Sequence, residues 1–282
     1  MFYKATKAQT VSLLNRKGSI CTFLLLLAMI LYNFISNVNT FEGRDICEMY
    51  QPMKLLLLSY NRVSFNGDMT LLFVQLYPIL VVCPAGFILS KEFQFGESVF
   101  MTARLGQKKY LLSKLLSSFL TTFIVFTVPF LIEIVLNCIS FPLDAVGDLS
   151  NWHLYSEAYI KGVHSYLFYQ LYLLSPYFYA VVGTVFFGVV SGILSMFTVA
   201  ISSIVKAKYN VFLLLPVFLL LHISVMIAEV NQKAPITTRW YDYVLLFNDC
   251  TKSPLGFVLV IFIIILSSFV LIHISSRRDC LR

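Results

Sequence analysis

Charge is scarce in this chain. Asp, Glu, Lys and Arg make up 12% of its 282 residues, about half the share of an ordinary soluble domain, while 59% are hydrophobic. That balance excludes an ordinary soluble domain, and the mean hydropathy of +0.81 places the chain among integral membrane proteins. Several chemistries are missing too. There is no GxxxxGKS or GxxxxGKT loop to cradle nucleotide phosphates, no HExxH zinc helix and no GxSxG nucleophile elbow. The six cysteines form no CxxC pair and show no His-assisted metal spacing. No catalytic residue, no metal ligand and no cofactor held by the chain itself is therefore assigned. Free thiols are the expectation. Cys47, Cys138 and Cys250 fall in or beside expected outer loops, where one disulfide would be permitted without any pair being favoured.

What the chain has instead is long apolar runs. A bilayer core is about 30 Å thick and a helix rises about 1.5 Å per residue, so roughly 20 apolar residues cross it. Runs such as FVLVIFIIILSSFVLI are apolar on every side and lack the alternation of barrel strands. The sequence predicts an all-α integral membrane protein forming one transmembrane domain over residues 1–282. Six transmembrane helices are expected, at about 20–36, 71–90, 111–136, 177–205, 211–230 and 255–275. The second contains Pro78 and Pro84, each of which removes a backbone donor and kinks a helix. Ahead of the first span, residues 1–19 hold Lys4, Lys7, Arg16 and Lys17 with no acid, interleaved with Phe2, Tyr3, Val11, Leu13 and Leu14. This pattern reads as a basic interfacial helix. The first span is too long for a signal-peptide core and no small-x-small site follows it, so it is expected to be retained.

Two apolar stretches are too short to cross. PMKLLLLSY, in the loop 37–70, reads as a half-buried surface helix with Pro52 in its first turn. RWYDYVLLF, before the last span, reads as a re-entrant or surface helix on the outer side. The long loop 137–175 carries Asp144, Asp148, His153, Glu157 and His164 without ligand spacing, and reads as a solvated, aromatic-rich cap.

The formal charge of +7 is explained by topology, and no nucleic-acid partner is expected. With the N-terminus, Lys91–Lys114, Lys206–Lys208 and the C-terminus placed inside, two thirds of the 21 basic residues are cytoplasmic. Of the 14 acids, only Glu92, Glu97 and Asp279 join them. A multi-pass cell-membrane protein with both termini in the cytoplasm is the expected arrangement.

Polarity is concentrated in Ser90–Leu116, between the second and third spans. There Lys91, Glu92, Glu97, Arg104, Lys108 and Lys109 alternate with Phe93, Phe95, Val99, Phe100 and Met101. The order Glu92-Phe93, Gly96, a short apolar helix, Arg104 and then Lys114 resembles the intracellular loop of type-two ABC exporter permeases. This family's usual Thr after the Gly is Glu97 here, and its usual Ser or Pro before the Arg is absent. The resemblance implies that residues 91–110 form a cytoplasmic coupling loop, with Glu92, Phe93, Gly96, Glu97 and Arg104 as docking residues. It implies an ABC ATPase subunit as partner, carrying the ATP and Mg, and a second permease copy or paralogue, so a homodimer or heterodimer. It also implies that the basic N-terminal helix assists docking, that membrane lipid surrounds the bundle, and that the cargo is exported. An apolar bundle with few internal charges suits an amphipathic or hydrophobic cargo such as a peptide.

Three further features are singled out. Gly188 and Gly192 in GTVFFGVVSGILS stand at GxxxG spacing, a close helix-packing seam that would also suit a subunit interface. Glu133 and Glu229 fall near outer ends of spans and are candidate outer-mouth groups, although carboxylates at such positions commonly extend to headgroups. His222 lies mid-span, where a lone histidine is expected to be hydrogen-bonded in the bundle. Two other functions stand beside export. A membrane-embedded enzyme or assembly factor working without an ATPase would need polar residues clustered at one depth. An ion-coupled secondary carrier would need unwound midplane helices and an inverted repeat, and no repeat is found.

Overall fold

The computed structural model describes residues 2–46, 49, 51–60, 67–94, 96–144, 166–205, 210–230, 236–248 and 252–277. The elements that can be drawn there are helical. The order is α1 (Phe2–Leu14), α2 (Lys17–Phe41), α3 (Gly67–Leu80), α4 (Ile88–Gln94), α5 (Glu97–Leu105), α6 (Gln107–Ser140), α7 (Tyr169–Leu174), α8 (Pro176–Ser202), α9 (Leu215–Val230), α10 (Tyr241–Val244) and α11 (Pro254–Arg277). Short 3-10 turns occupy Pro52–Leu55 and Asn210–Leu214.

Among the described residues, five helices are long and apolar enough to cross a membrane: Lys17–Phe41, Gln107–Ser140, Pro176–Ser202, Val211–Val230 and Pro254–Arg277. This all-α arrangement is consistent with a multi-pass membrane protein. The segment expected as a second span, 71–90, is not one helix. Helix α3 stops at Leu80, residues 81–87 form turns, and α4 begins at Ile88. The interruption falls around Pro84, whereas Pro78 stays inside α3. Pro84 has no amide hydrogen to continue the ladder, and the residue before a proline is driven out of the α region. The interruption is buried, as Val81, Val82 and Ala85 show, so its backbone needs protein partners. Gly86 N donates to Val82 O at 2.8 Å, and Ser19 Oγ lies 3.1 Å from Pro84 O and 2.7 Å from Leu13 O. Gly18 lets α2 approach closely, since a Cβ there would sit 2.7 Å from Cys83 O.

Helix α6 is the hub. At 34 residues it is about 50 Å long, more than a bilayer core, and it packs against α1, α2, α8 and α11. Gln107 Nε2 donates to Ser275 O at 3.2 Å, and Ser113 Oγ donates to Gln9 Oε1 at 3.0 Å. The start of α6, the last turn of α11 and helix α1 therefore share one end of the bundle, the near end. Helix α1 buries Thr6, Gln9, Thr10 and Leu13 against α6 and exposes Lys4, Lys7, Tyr3 and Val11. Its inward face is thus mostly polar, which the basic-apolar pattern of residues 1–19 did not indicate.

The middle of the bundle is aromatic. Phe73 and Tyr77 from α3, Phe126 and Phe130 from α6, and Phe187 from α8 meet with ring centroids between 5.4 and 5.9 Å. Trp240 stacks on Tyr77 at 4.7 Å. Tyr77 Oη and Ser191 Oγ share a hydrogen bond of 2.9 Å, so the buried phenol is partnered.

Candidate functional site

Two sites are built on this frame, one at each end of α6. At the near end, α5 is a nine-residue helix set off by glycines at both ends: Gly96 has φ +73° and Gly106 φ +76°. Such positive φ values are costly for residues with a Cβ, so the two glycines fix where α5 starts and stops. Ser98 is buried, and Met101 and Leu105 pack against the cluster of Leu13, Leu89, Tyr110, Leu111 and Leu115. The spacing 98, 101, 105 is one face of a helix. The opposite face carries Glu97, Val99, Phe100 and Arg104. Val99 is 48% and Phe100 76% exposed.

The loop is anchored by Glu92 on α4. Only 6% exposed, it receives Lys114 Nζ on Oε1 at 2.5 Å and Tyr110 Oη on Oε2 at 2.5 Å, with Arg16 Nη2 3.9 Å from Oε1. The buried acid ties the α1–α2 joint, α4 and α6 together. A cleft of about 430 Å³ opens beside it, lined by Arg16, Lys17, Cys83, Lys91 and Glu97 among others.

The docking residues expected from the sequence therefore separate into two groups. Glu97 and Arg104 lie on the exposed face of α5, Gly96 is its starting turn, and Glu92 and Phe93 turn inward as anchors. Lys114, seen in the sequence only as the start of a span, is the partner of Glu92.

At the other end of α6, the far end, PMKLLLLSY is not a half-buried surface helix. Pro52–Leu55 forms a 3-10 turn and Leu56–Tyr60 follows as non-helical chain, with every residue from Gln51 to Ser59 buried. Irregular backbone at depth must find protein partners, and the spans supply them. Asn33 Nδ2 and Asn37 Nδ2 each donate to Leu55 O at 2.9 Å, Asn137 Nδ2 donates to Pro52 O at 3.2 Å, and Leu57 N donates to Glu133 Oε1 at 2.8 Å. Asn33 Nδ2 also donates to Glu133 Oε1 at 2.9 Å. Glu133, 1% exposed, does not extend toward headgroups but holds this segment in place. Among the described residues its Oε2 has no hydrogen-bond partner, and neither has Asn137 Oδ1 one turn later.

The second short stretch meets the first. Tyr60 N donates to Leu246 O and Leu246 N to Leu58 O, both at 2.9 Å, forming an isolated parallel bridge between Ser59 and Leu246. Residues Tyr243–Asn248 are buried, and Asp242 accepts Thr237 Oγ1 and Asn248 Nδ2 on its two oxygens. RWYDYVLLF, expected as a re-entrant or surface helix, is helical only over Tyr241–Val244, and its second half is buried in the bundle. The two stretches together plug the bundle between α2, α6 and α8.

Gly188 and Gly192 face α6 of the same chain. A Cβ at Gly192 would lie 2.7 Å from the Phe119 ring, and one at Gly188 would clash with Thr127 and approach Phe123. Glu229 is exposed on the last turn of α9, and His222 is exposed and stacked on Phe218 at 5.4 Å rather than hydrogen-bonded in the bundle. Among the described residues Cys138 has no disulfide partner, while Cys47, Cys250, Lys206, Lys208 and most of the loop 137–175 lie outside them.

The chain matches no protein-family model, no curated protein and no solved structure.

Proposed function

We propose that this chain is the membrane-spanning permease subunit of an ATP-driven exporter of the type-two ABC kind, with ATP hydrolysis on a separate chain. The observation that carries this reading is helix α5. A soluble connector has no reason to present Val99 and Phe100 outward while a buried ion pair fixes the helix before it, α4, to α6. An exposed aromatic framed by charge suits a protein partner. In this reading the near end is cytoplasmic, the ATPase grips Glu97, Val99, Phe100 and Arg104, and Glu92 passes its movement to α1, α2 and α6. The plug at the far end is the outer gate, whose release frees an amphipathic or hydrophobic cargo, a peptide being the leading candidate. Two states that differ in ATPase contact are required, because a ligand shifts an equilibrium only by its differential affinity.

The test is purification in mild detergent from the native host. A nucleotide-binding ATPase is expected to remain bound, and Phe100→Asp is expected to release it while leaving the chain folded.

A second reading, an ion-coupled carrier, draws on the interrupted second span and on buried Glu133 among unwound chain. It predicts transport in vesicles that follows an ion gradient and needs no ATP.

A further inference from the structure

Between the start of α6 and the last turns of α11 runs a groove of about 640 Å³. Its walls are apolar along most of their length, formed by Leu112, Phe262, Leu266, Phe269 and Val270. Polar side chains occur only at the near end, where Lys108, His273 and Ser276 line it. The Ser276 hydroxyl already donates to His273 O at 2.8 Å, so the donors offered to an occupant are the Lys108 ammonium and the His273 ring. The Gln107–Ser275 hydrogen bond clasps the two helices at this end and holds the groove's mouth. Phe262 and Leu266 are more than half exposed, so the groove opens outward from the bundle.

We propose that this groove binds one anionic phospholipid, its acyl chain along the Phe262–Phe269 wall and its phosphate at Lys108 and His273. The inference stands independently of the exporter reading. Its basis is the match between a one-ended polar groove and a molecule with one charged end. Apolar walls alone would accept any lipid chain. The head position is selective, because a basic group between helices near a membrane surface favours anionic headgroups by roughly fivefold per cation. Charge also weighs against a second copy of this chain seated on these two helices. No Asp or Glu occurs from Gln107 to Ile132 or from Pro254 to Arg277. A two-fold contact there would set Lys108 and Arg277 against a surface with no acid to meet them, and like-charge juxtaposition opposes association.

The experiment is native mass spectrometry of the detergent-solubilised full chain, after equilibration with equimolar phosphatidylglycerol and phosphatidylcholine of identical acyl chains. The expected result is about fivefold more phosphatidylglycerol than phosphatidylcholine retained. Lys108→Ala should lower the ratio of bound phosphatidylglycerol to phosphatidylcholine about fivefold, toward equal retention, since Lys108 is exposed in the first turn of α6. Leu266→Trp, which fills the groove, should lower both. Equal retention of the two lipids would overturn the proposal, as would unchanged retention in a folded Lys108→Ala protein. So would a dimer that carries no lipid and loses its association in Leu266→Trp.

Discussion

The amide of Leu57 donates to Glu133 Oε1 at 2.8 Å, fixing a stretch of chain too short to cross a membrane onto the longest helix of the bundle. The same oxygen accepts Asn33 Nδ2, so one carboxylate joins α2, α6 and the plug.

Glu133→Ala removes an acceptor that two buried donors need. An orphaned buried donor costs about 1–3 kcal/mol, so the variant should unfold at a clearly lower temperature in detergent. Glu133→Gln keeps one carbonyl oxygen for Leu57 N–H and should lose much less. Thermal unfolding of the two variants side by side checks the order.

Lys114→Met leaves Glu92 buried with Tyr110 as its close partner. Breaking a buried pair from one side costs about 3–5 kcal/mol, so expression and unfolding temperature should fall sharply. The double variant Glu92→Gln with Lys114→Met should recover a large part of the loss. A double-mutant cycle measures the difference, and full additivity would show that the 2.5 Å contact carries no coupling.

The seam between α6 and α8 has no room for a larger side chain. Gly192→Val places methyl groups within the Phe119 ring and should cost about 1–3 kcal/mol through overpacking. Adding Phe119→Ala should restore part of the folded yield on size-exclusion chromatography.

The two glycines that bound α5 should respond differently. Gly96 sits in the left-handed region at φ +73°, ψ +3°, which Asn tolerates. Gly106, at φ +76°, ψ +145°, lies near a region that essentially only glycine visits. Gly96→Asn should therefore preserve the loop, whereas Gly106→Asn should make the chain around Leu105 more sensitive to limited proteolysis.

The long uniform runs made five of the helices legible in the sequence, because composition alone sets whether a segment suits a membrane. The expected second span was not legible. Its mean polarity is that of its neighbours, and only Pro78 and Pro84 hinted that its backbone would break. The plug was hidden for a different reason. PMKLLLLSY is apolar enough to be buried, but whether its carbonyls and amides find partners depends on Asn33, Asn37, Glu133 and Asn137, which converge only when α2 and α6 pack. Glu133 consequently looked like a residue bound for headgroups. At the near end, the position of α5 was marked by Gly96, Gly106 and the mixture of charge and aromatics. The inward turn of Glu92 was not, since its partners Tyr110 and Lys114 lie 18 and 22 residues later.

Docking of an ATPase on the exposed face of α5 can be tested in place. The most direct measurement places the photo-reactive analogue benzoylphenylalanine at Phe100 in native cells, with the adducts identified by mass spectrometry. A covalent adduct with a nucleotide-binding ATPase is expected, with a yield that changes when ATP is depleted. Adducts with lipid alone, from a folded chain, would contradict it.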